Sequence, residues 1–213
     1  MRITAIEPQK KDPARKNLIV NGKFLFGIST DVLIQLGLRR GDQVDESLIA
    51  KIHAAEELFQ AKRKALDYLS RRMHSEKELN QKLQKKGFSA DTILRLIDDF
   101  RSSGYLNDTQ FAVAYVTDCL QKRPIGRRSL FQRLRLKGIH KEIIDNVLTA
   151  TLETQKEETI ALAVARKKLR VSRSQFERLD LNKQKQRLAQ FLAQRGFEWE
   201  IIGHVVNEVL HKE

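Results

Sequence analysis

Leu130-Phe131-Gln132-Arg133-Leu134-Arg135-Leu136-Lys137-Gly138-Ile139 places two leucines four residues apart, a glycine four residues further, and a large apolar residue directly after it. The same skeleton stands at Leu79, Leu83, Gly87 and Phe88, and again at Leu188, Leu192, Gly196 and Phe197. Leucines at that spacing share one face of an α-helix, so each pair marks a buried stripe. The glycine falls where a helix ends in the left-handed conformation, which a residue without a Cβ adopts at little cost. The apolar residue then reaches back onto the second leucine, as in a Schellman ending. Beyond each glycine the match continues: Ile93, Ile144 and Ile202 are six residues on, and Ile97, Leu148 and Val206 ten on. Those positions predict the core face of a second helix. The chain is therefore read as an internal helical repeat.

Each repeat is drawn as three helices. The first takes 65–73, 76–86 and 90–101. The second takes 108–122, 127–137 and 141–151, and the third 156–169, 183–195 and 198–211. Val171 to Asp180 is expected to be a polar loop. Ser75 and Glu78 have capping-box spacing before the second of these helices. A continuous stripe from Leu48 through Ile52, Ala55, Leu58, Phe59, Lys62, Leu66 and Leu69, with no Pro or Gly before Gly87, predicts a long helix leading into the first repeat.

Ahead of it the texture changes. Leu18-Ile19-Val20 and Phe24-Leu25-Phe26 flank Asn21-Gly22, a pair that tolerates positive φ at both turn positions and so predicts a hairpin. Ile3-Thr4-Ala5-Ile6 is a candidate third strand. Thr30-Asp31 is placed as the cap of a short helix ending near Leu38, closed by the Arg39-Arg40-Gly41-Asp42 turn. The expected organisation is a hairpin region over 1–44, a connecting helix over 45–64, and repeats over 65–106, 107–154 and 155–213. The expected fold is mainly α, with three three-helix repeats stacked into an elongated, curved body and a small N-terminal β-hairpin region.

The 213 residues include 40 Lys and Arg against 27 Asp and Glu, a formal charge of +13. Such a surplus favours polyanions or acidic protein surfaces. Cys119 is the only cysteine, which excludes an intramolecular disulfide and any multi-cysteine metal site. No stretch approaches the roughly 18 apolar residues of a membrane span and no secretory signal opens the chain, so the protein is expected in the cytoplasm, without membrane contact.

The residue pattern does not support a catalytic centre. His53, His74, His140, His204 and His211 are scattered without metal-ligand pairing. Asp98-Asp99 and Glu157-Glu158 read as solvated helix faces, because adjacent helical residues point about 100° apart. Cys119 falls in an apolar stripe and is expected to be a buried thiol. No cofactor is implied.

Binding is the better expectation. Lys86, Lys137 and Arg195 each precede a repeat glycine, where a cation complements the helix dipole, and are assigned that role. Three other clusters are candidates for a polyanion: Arg71 and Arg72; Lys122, Arg123, Arg127, Arg128, Arg133 and Arg135; and Arg166, Lys167, Lys168 and Arg170. Arg128 and Arg135 are two turns apart, away from the Leu130/Leu134 stripe. With one Trp and three Tyr, base-by-base recognition of single strands is disfavoured.

Three motifs in order then carry a resemblance. Tyr68-Leu69-Ser70-Arg71-Arg72 through Ser75 and Glu78-Leu79 leads to Lys85-Lys86-Gly87-Phe88. Gly104-Tyr105-Leu106-Asn107-Asp108 follows with Phe111-Ala112, and Gly126 runs through Leu134 to Lys137-Gly138-Ile139. Over roughly Ala61 to Val209 the chain resembles the RecX family of regulators of the RecA recombinase, and the hairpin region resembles the extension of its longer members. The third repeat matches mainly in its apolar skeleton. Gly104 to Asp108 also reads structurally: the glycine ends one helix, Tyr105 and Leu106 pack between repeats, and Asn107 or Asp108 caps the next. The resemblance implies a non-enzymatic modulator that binds RecA filaments on single-stranded DNA, and single- or double-stranded DNA directly, in recombination and repair; a monomer is expected. The open alternatives are a basic DNA-binding helical regulator of another kind and a helical protein-interaction scaffold.

Overall fold

The structure is a computed structural model that describes residues 1–210, the side chains of 154 and 155 excepted. The fold is mainly helical, with one small N-terminal sheet. The chain divides into two compact units: Met1–Met73 with Leu79–Tyr105, and His74–Glu78 with the chain from Leu106 onward.

In the first unit β1 (Ile3–Pro8), β2 (Arg15–Val20) and β3 (Lys23–Ser29) form an antiparallel sheet in the order β1-β2-β3. The β2–β3 turn is the expected one: Asn21 and Gly22 take φ of 49° and 75°, the mirror-image turn that matches strand twist. Ile3, Leu18 and Ile28 are buried from the sheet against Val32, Val44 and Ile52. The helix α1 (Thr30–Gln35) is entered through Ser29, not through Thr30-Asp31. Thr30 Oγ1 is instead engaged by the Ala14 carbonyl at 2.9 Å. The helix stops at Gln35, short of Leu38, because Gly37 takes φ of 65° and the Leu38 amide turns back to the Leu33 carbonyl at 3.1 Å.

The long helix α2 (Glu46–Leu69) starts at Asp45, whose carboxylate accepts from the Leu48 amide at 2.7 Å. Two adjacent glutamates then cap different helices. Glu56 accepts from the Ser29 amide at 2.8 Å, ahead of α1. Glu57 accepts from the Ser89 amide at 2.6 Å, ahead of α4 (Ala90–Ser102). The expected helix over 65–73 is not a separate element. It is the end of α2, which stops at Leu69, four residues before Met73. There Ser70 Oγ donates to the Asp67 carbonyl at 3.0 Å and the Arg71 amide tightens to the Tyr68 carbonyl. The fully buried positions of α2 are Ile52, Ala61 and Ala65, whereas Leu66 of the expected stripe is more than a third exposed.

α3 (Glu76–Gln84) opens in the second unit and continues in the first. The rest of the second unit comprises α5 (Asp108–Lys122), α6 (Arg127–Leu136), α7 (Lys141–Gln155), α8 (Glu157–Val171), α9 (Arg173–Phe176), α10 (Leu181–Gln194) and α11 (Trp199–Leu210). All six repeat leucines are fully buried, as is Ile144, while Ile93 and Ile202 are nearly so. Gly87, Gly138 and Gly196 take φ of 85°, 89° and 83°, and the residue after each donates its amide to the second leucine's carbonyl. The Schellman reading holds in all three copies. The stretch from Val171 to Asp180 is not a plain polar loop. It folds into α9, and Phe176 enters the same core as Leu188 and Leu192. Gln184 holds the stretch in place by donating to the Phe176 and Leu179 carbonyls at 3.0 and 2.9 Å.

Helix ends in the second unit complete one another. The Gly126 and Arg128 amides, orphans at the start of α6, donate to the Arg195 and Gly196 carbonyls at the end of α10, at 2.9 and 3.0 Å. Ser75 Oγ likewise donates to the Lys137 carbonyl at the end of α6 at 2.7 Å, while accepting from the Glu78 amide. Oppositely charged dipole ends thereby face each other twice. Lys137 also pairs with the Glu78 carboxylate, so its place before a glycine serves a joint as well as a dipole.

Candidate polyanion interface

Three elements of the second unit converge on an open groove of about 670 Å³: the end of α5 with the turn after it, the outer side of α8, and α10. Lys122, Arg123, Lys167, Lys168 and Arg195 rim it over the apolar Val164 and Phe191. Its geometry is set by one aromatic ring. The Lys168 ammonium sits 5.3 Å and the Arg195 guanidinium 4.9 Å from the Phe191 ring centre. A ring's negative face attracts a cation by about 0.5–1 kcal/mol at exposed sites, so both charges are held near one place. Arg195 Nη1 also donates to the Pro124 carbonyl at 3.1 Å, tying the turn to α10. Lys168 Nζ donates to Ser172 Oγ at 3.0 Å.

The sequence-expected cations now separate. Lys122, Arg123, Lys167 and Lys168 come together in the groove. Lys122 is paired with Asp118 at 2.6 Å, and the hydrogen bond and charge of that carboxylate push its pKa up. Arg123, Lys167 and Arg170 have no acidic partner among the described residues, and all three are exposed. Arg166 is bound to Glu208 at 3.1 Å. Arg127 is structural: its amide donates to Glu157 at 2.7 Å and its side chain to Thr149 at 3.2 Å. Arg133 faces Tyr115, whose hydroxyl is pushed to a higher pKa first by burial and then by Cys119, with the Arg133 charge opposing the rise. Arg128 lines a different groove, and Arg135 is exposed on α6. Arg71 and Arg72 belong to the first unit, where Arg71 pairs with Asp67 at 3.0 Å and Arg72 donates to the Met73 carbonyl at 2.7 Å.

Arg195 and Phe191 are the groove members that the sequence reading did not place there. The available signal was their spacing of four on α10, which lets an arginine lie over an aromatic ring one turn away. Glu157 also departs from expectation. It is half-buried and caps the start of α6, with burial pushing its carboxyl up, the Arg127 amide opposing, and Glu198 adding to the rise. Asp98 and Asp99 are exposed as expected. Cys119 is half-buried against the α5–α7 core, not fully buried. Asn107 is the cap of α5, accepting from the Gln110 amide at 2.9 Å, but Tyr105 is mostly exposed and leans on Phe100. No helix is long and apolar enough to cross a membrane, among the described residues.

Known protein families match the chain in four segments. Models of the regulatory protein RecX N-terminal domain and of the first, second and third RecX three-helix domains match residues 1–45, 61–100, 107–148 and 156–206. The chain is 34% identical over 206 residues to the regulatory protein RecX of Bacillus licheniformis, covering 97% of this chain and 76% of that protein. It is 29% identical over 212 residues to the regulatory protein RecX of Clostridium perfringens, covering 100% and 98%. A crystal structure of regulatory protein RecX superposes with a TM-score of 0.78 at 29% identity, covering 100% of this chain and 99% of that one. RecX from Lactobacillus salivarius shares the fold over 75% of this chain and 99% of its own, with a TM-score of 0.66 at 22% identity.

Proposed function

From the premise that the chain belongs to the RecX family of regulatory proteins, we propose that it is a non-enzymatic modulator of the RecA recombinase. It binds the recombinase filament on single-stranded DNA and restrains its assembly, ATP hydrolysis and strand exchange. It does so in the cytoplasm, during DNA recombination, repair and the SOS response. The observation that carries the reading is the groove in which Lys122, Arg123, Lys167, Lys168 and Arg195 converge from three elements. Cations of that density suit the phosphate backbone or an acidic filament surface. Phe191 keeps two of them in position before any partner arrives, which lowers the ordering cost of binding.

The test is single-stranded-DNA-dependent ATP hydrolysis by the cognate recombinase, titrated with this protein at two salt concentrations beside a naked-DNA binding control. Inhibition at protein levels too low to coat the DNA supports a filament target. Inhibition that appears only once naked DNA is saturated, and that vanishes with salt, identifies a basic DNA binder competing for the lattice.

A further inference from the structure

The two sides of α10 are chemically unlike. One carries Phe191 and Arg195 into the cationic groove. Roughly 120° around the axis, Gln186, Gln190 and Gln194 follow at intervals of four residues. There they line a second open groove, of about 710 Å³, together with Arg128 and Gln132 of α6. Its floor is made of short residues, Ala189, Ala193 and Gly196, and its lip is Trp199, which is 67% exposed. None of the four glutamine side chains has a hydrogen-bond partner among the described residues. Since the end of α10 meets the start of α6, with the Gly126 amide 2.9 Å from the Arg195 carbonyl, the amides of both helices form one track.

The geometry points to this track as a docking groove for an extended backbone segment of a partner protein, an exposed edge strand or loop, with an apolar side chain set against Trp199. Four helical residues advance about 6.0 Å, and two residues of extended chain about 6.6–6.8 Å. One edge of an extended segment presents N–H and C=O groups at that interval. A glutamine amide has both a donor and an acceptor to meet them. A helical partner is ill-suited, because its backbone groups are already paired within it. Single-stranded nucleic acid has a phosphate on every nucleotide and calls for a row of cations, whereas Arg128 is the one cation in this lining. Trp and Arg at the edges of a short-residue floor are the residue types that dominate protein interfaces. The partner is the recombinase, an identity that rests on the function proposed above; the groove itself is independent of the cationic one.

The experiment measures affinity of the full chain for the recombinase filament and, separately, for naked single-stranded DNA. The Gln190→Ala/Trp199→Ala variant is expected to bind the filament at least tenfold more weakly and naked DNA within twofold of the wild type. Gln190→Leu, which removes the central donor and acceptor of the track without changing its charge or Trp199, is expected to do the same and covers a failure of the double variant to fold. Hydrogen exchange on the wild-type complex should slow over 186–199 and 128–132. Unchanged filament affinity in a folded variant, or no slowing in those segments, overturns the docking groove and leaves the recombinase reading intact. An equal loss on naked DNA overturns it in favour of nucleobases. A wild-type chain with no affinity for the filament overturns both.

Discussion

Gly126 and Gly196 meet backbone to backbone: a Cβ on Gly126 would fall on the Gly196 carbonyl oxygen, and one on Gly196 would fall on Ser129. Gly126 has φ of −77°, so it needs no left-handed conformation and is a glycine for space alone. Gly196 needs both the space and its φ of 83°. Their contact lets α10 and α6 share hydrogen bonds end to end, and the glutamine-lined groove includes Gly196 and Ser129 of that junction.

Three glycine-to-alanine changes should therefore rank in a definite order. Gly126→Ala forces rigid backbone apart and should cost about 1–3 kcal/mol. Gly87→Ala has open space but φ of 85°, and should cost about 1–2 kcal/mol from backbone strain. Gly203→Ala, inside α11 with nothing near it, should stabilise by about 0.5–1 kcal/mol. Urea unfolding midpoints of the three variants check the order. A Gly126→Ala protein as stable as wild type would remove the close approach as a constraint.

Glu56 and Glu57 should shape the acid limb of stability. Burial works to raise both carboxyls, but hydrogen bonds outweigh it and hold both below the ordinary value: from Ser29, Gln60 and Arg15 for Glu56, and from Ser89 and Thr92 for Glu57. A depressed folded pKa contributes stability that is full above the unfolded value and is lost as pH falls through the folded one. Glu57→Gln should flatten that loss, and Glu57→Ala should cost about 1–2 kcal/mol near neutrality through the lost cap of α4. Unfolding midpoints between pH 7 and 3 measure both.

Glu157 should behave with the opposite sign. Burial first, and Glu198 with it, raises its carboxyl above the ordinary value. A raised folded pKa contributes stability present at low pH and lost as pH rises through the folded value. Glu157→Gln keeps an acceptor for the Arg127 amide. Its stability relative to wild type should grow from pH 4 to pH 8, and a constant difference across that range would contradict the assignment.

Phe191→Leu should weaken polyanion binding several-fold with little loss of stability. It removes the ring that holds Lys168 and Arg195, worth about 0.5–1 kcal/mol per cation at exposed sites, and leaves an apolar side chain over the same core. Fluorescence anisotropy with labelled single-stranded DNA, beside a thermal melt, separates the two effects.

Charge reversal at Arg123 and Lys167 should lower the salt dependence of that binding, by roughly 0.7 in log–log slope for each lost phosphate contact on single strands. Arg166→Ala should leave the slope unchanged, since its charge is engaged by Glu208. Equal effects from the two variants would mean that the cations act through overall charge and not through the groove.

How much was legible differs between fold and site. Leucine pairs four apart followed by glycine report local rules, helical periodicity and left-handed φ, and those rules survived in all three copies. Asn21-Gly22 did the same for the hairpin. The misreadings lie where a side chain competes with the backbone or a core built elsewhere captures it. Ser70 turned onto its own helix and ended α2 early, and Phe176, in a polar stretch, found a core built by Leu188 and Leu192. At the site, runs of Lys and Arg marked cations but not which were already engaged by Asp118, Glu208, Thr149 or Tyr115.

The repeat, its helix endings and the hairpin turn follow from the chain alone, because each depends on residues within a turn or two of one another, and the order of such motifs carries the family. Tertiary structure decided which charges stay unpaired, that Phe191 gathers Lys168 and Arg195, and that the amides of α10 and α6 form one track. The last of these depends on helix ends more than fifty residues apart sharing hydrogen bonds, as Gly126 and Arg195 do. Periodicity along the chain contains no information about such a pairing.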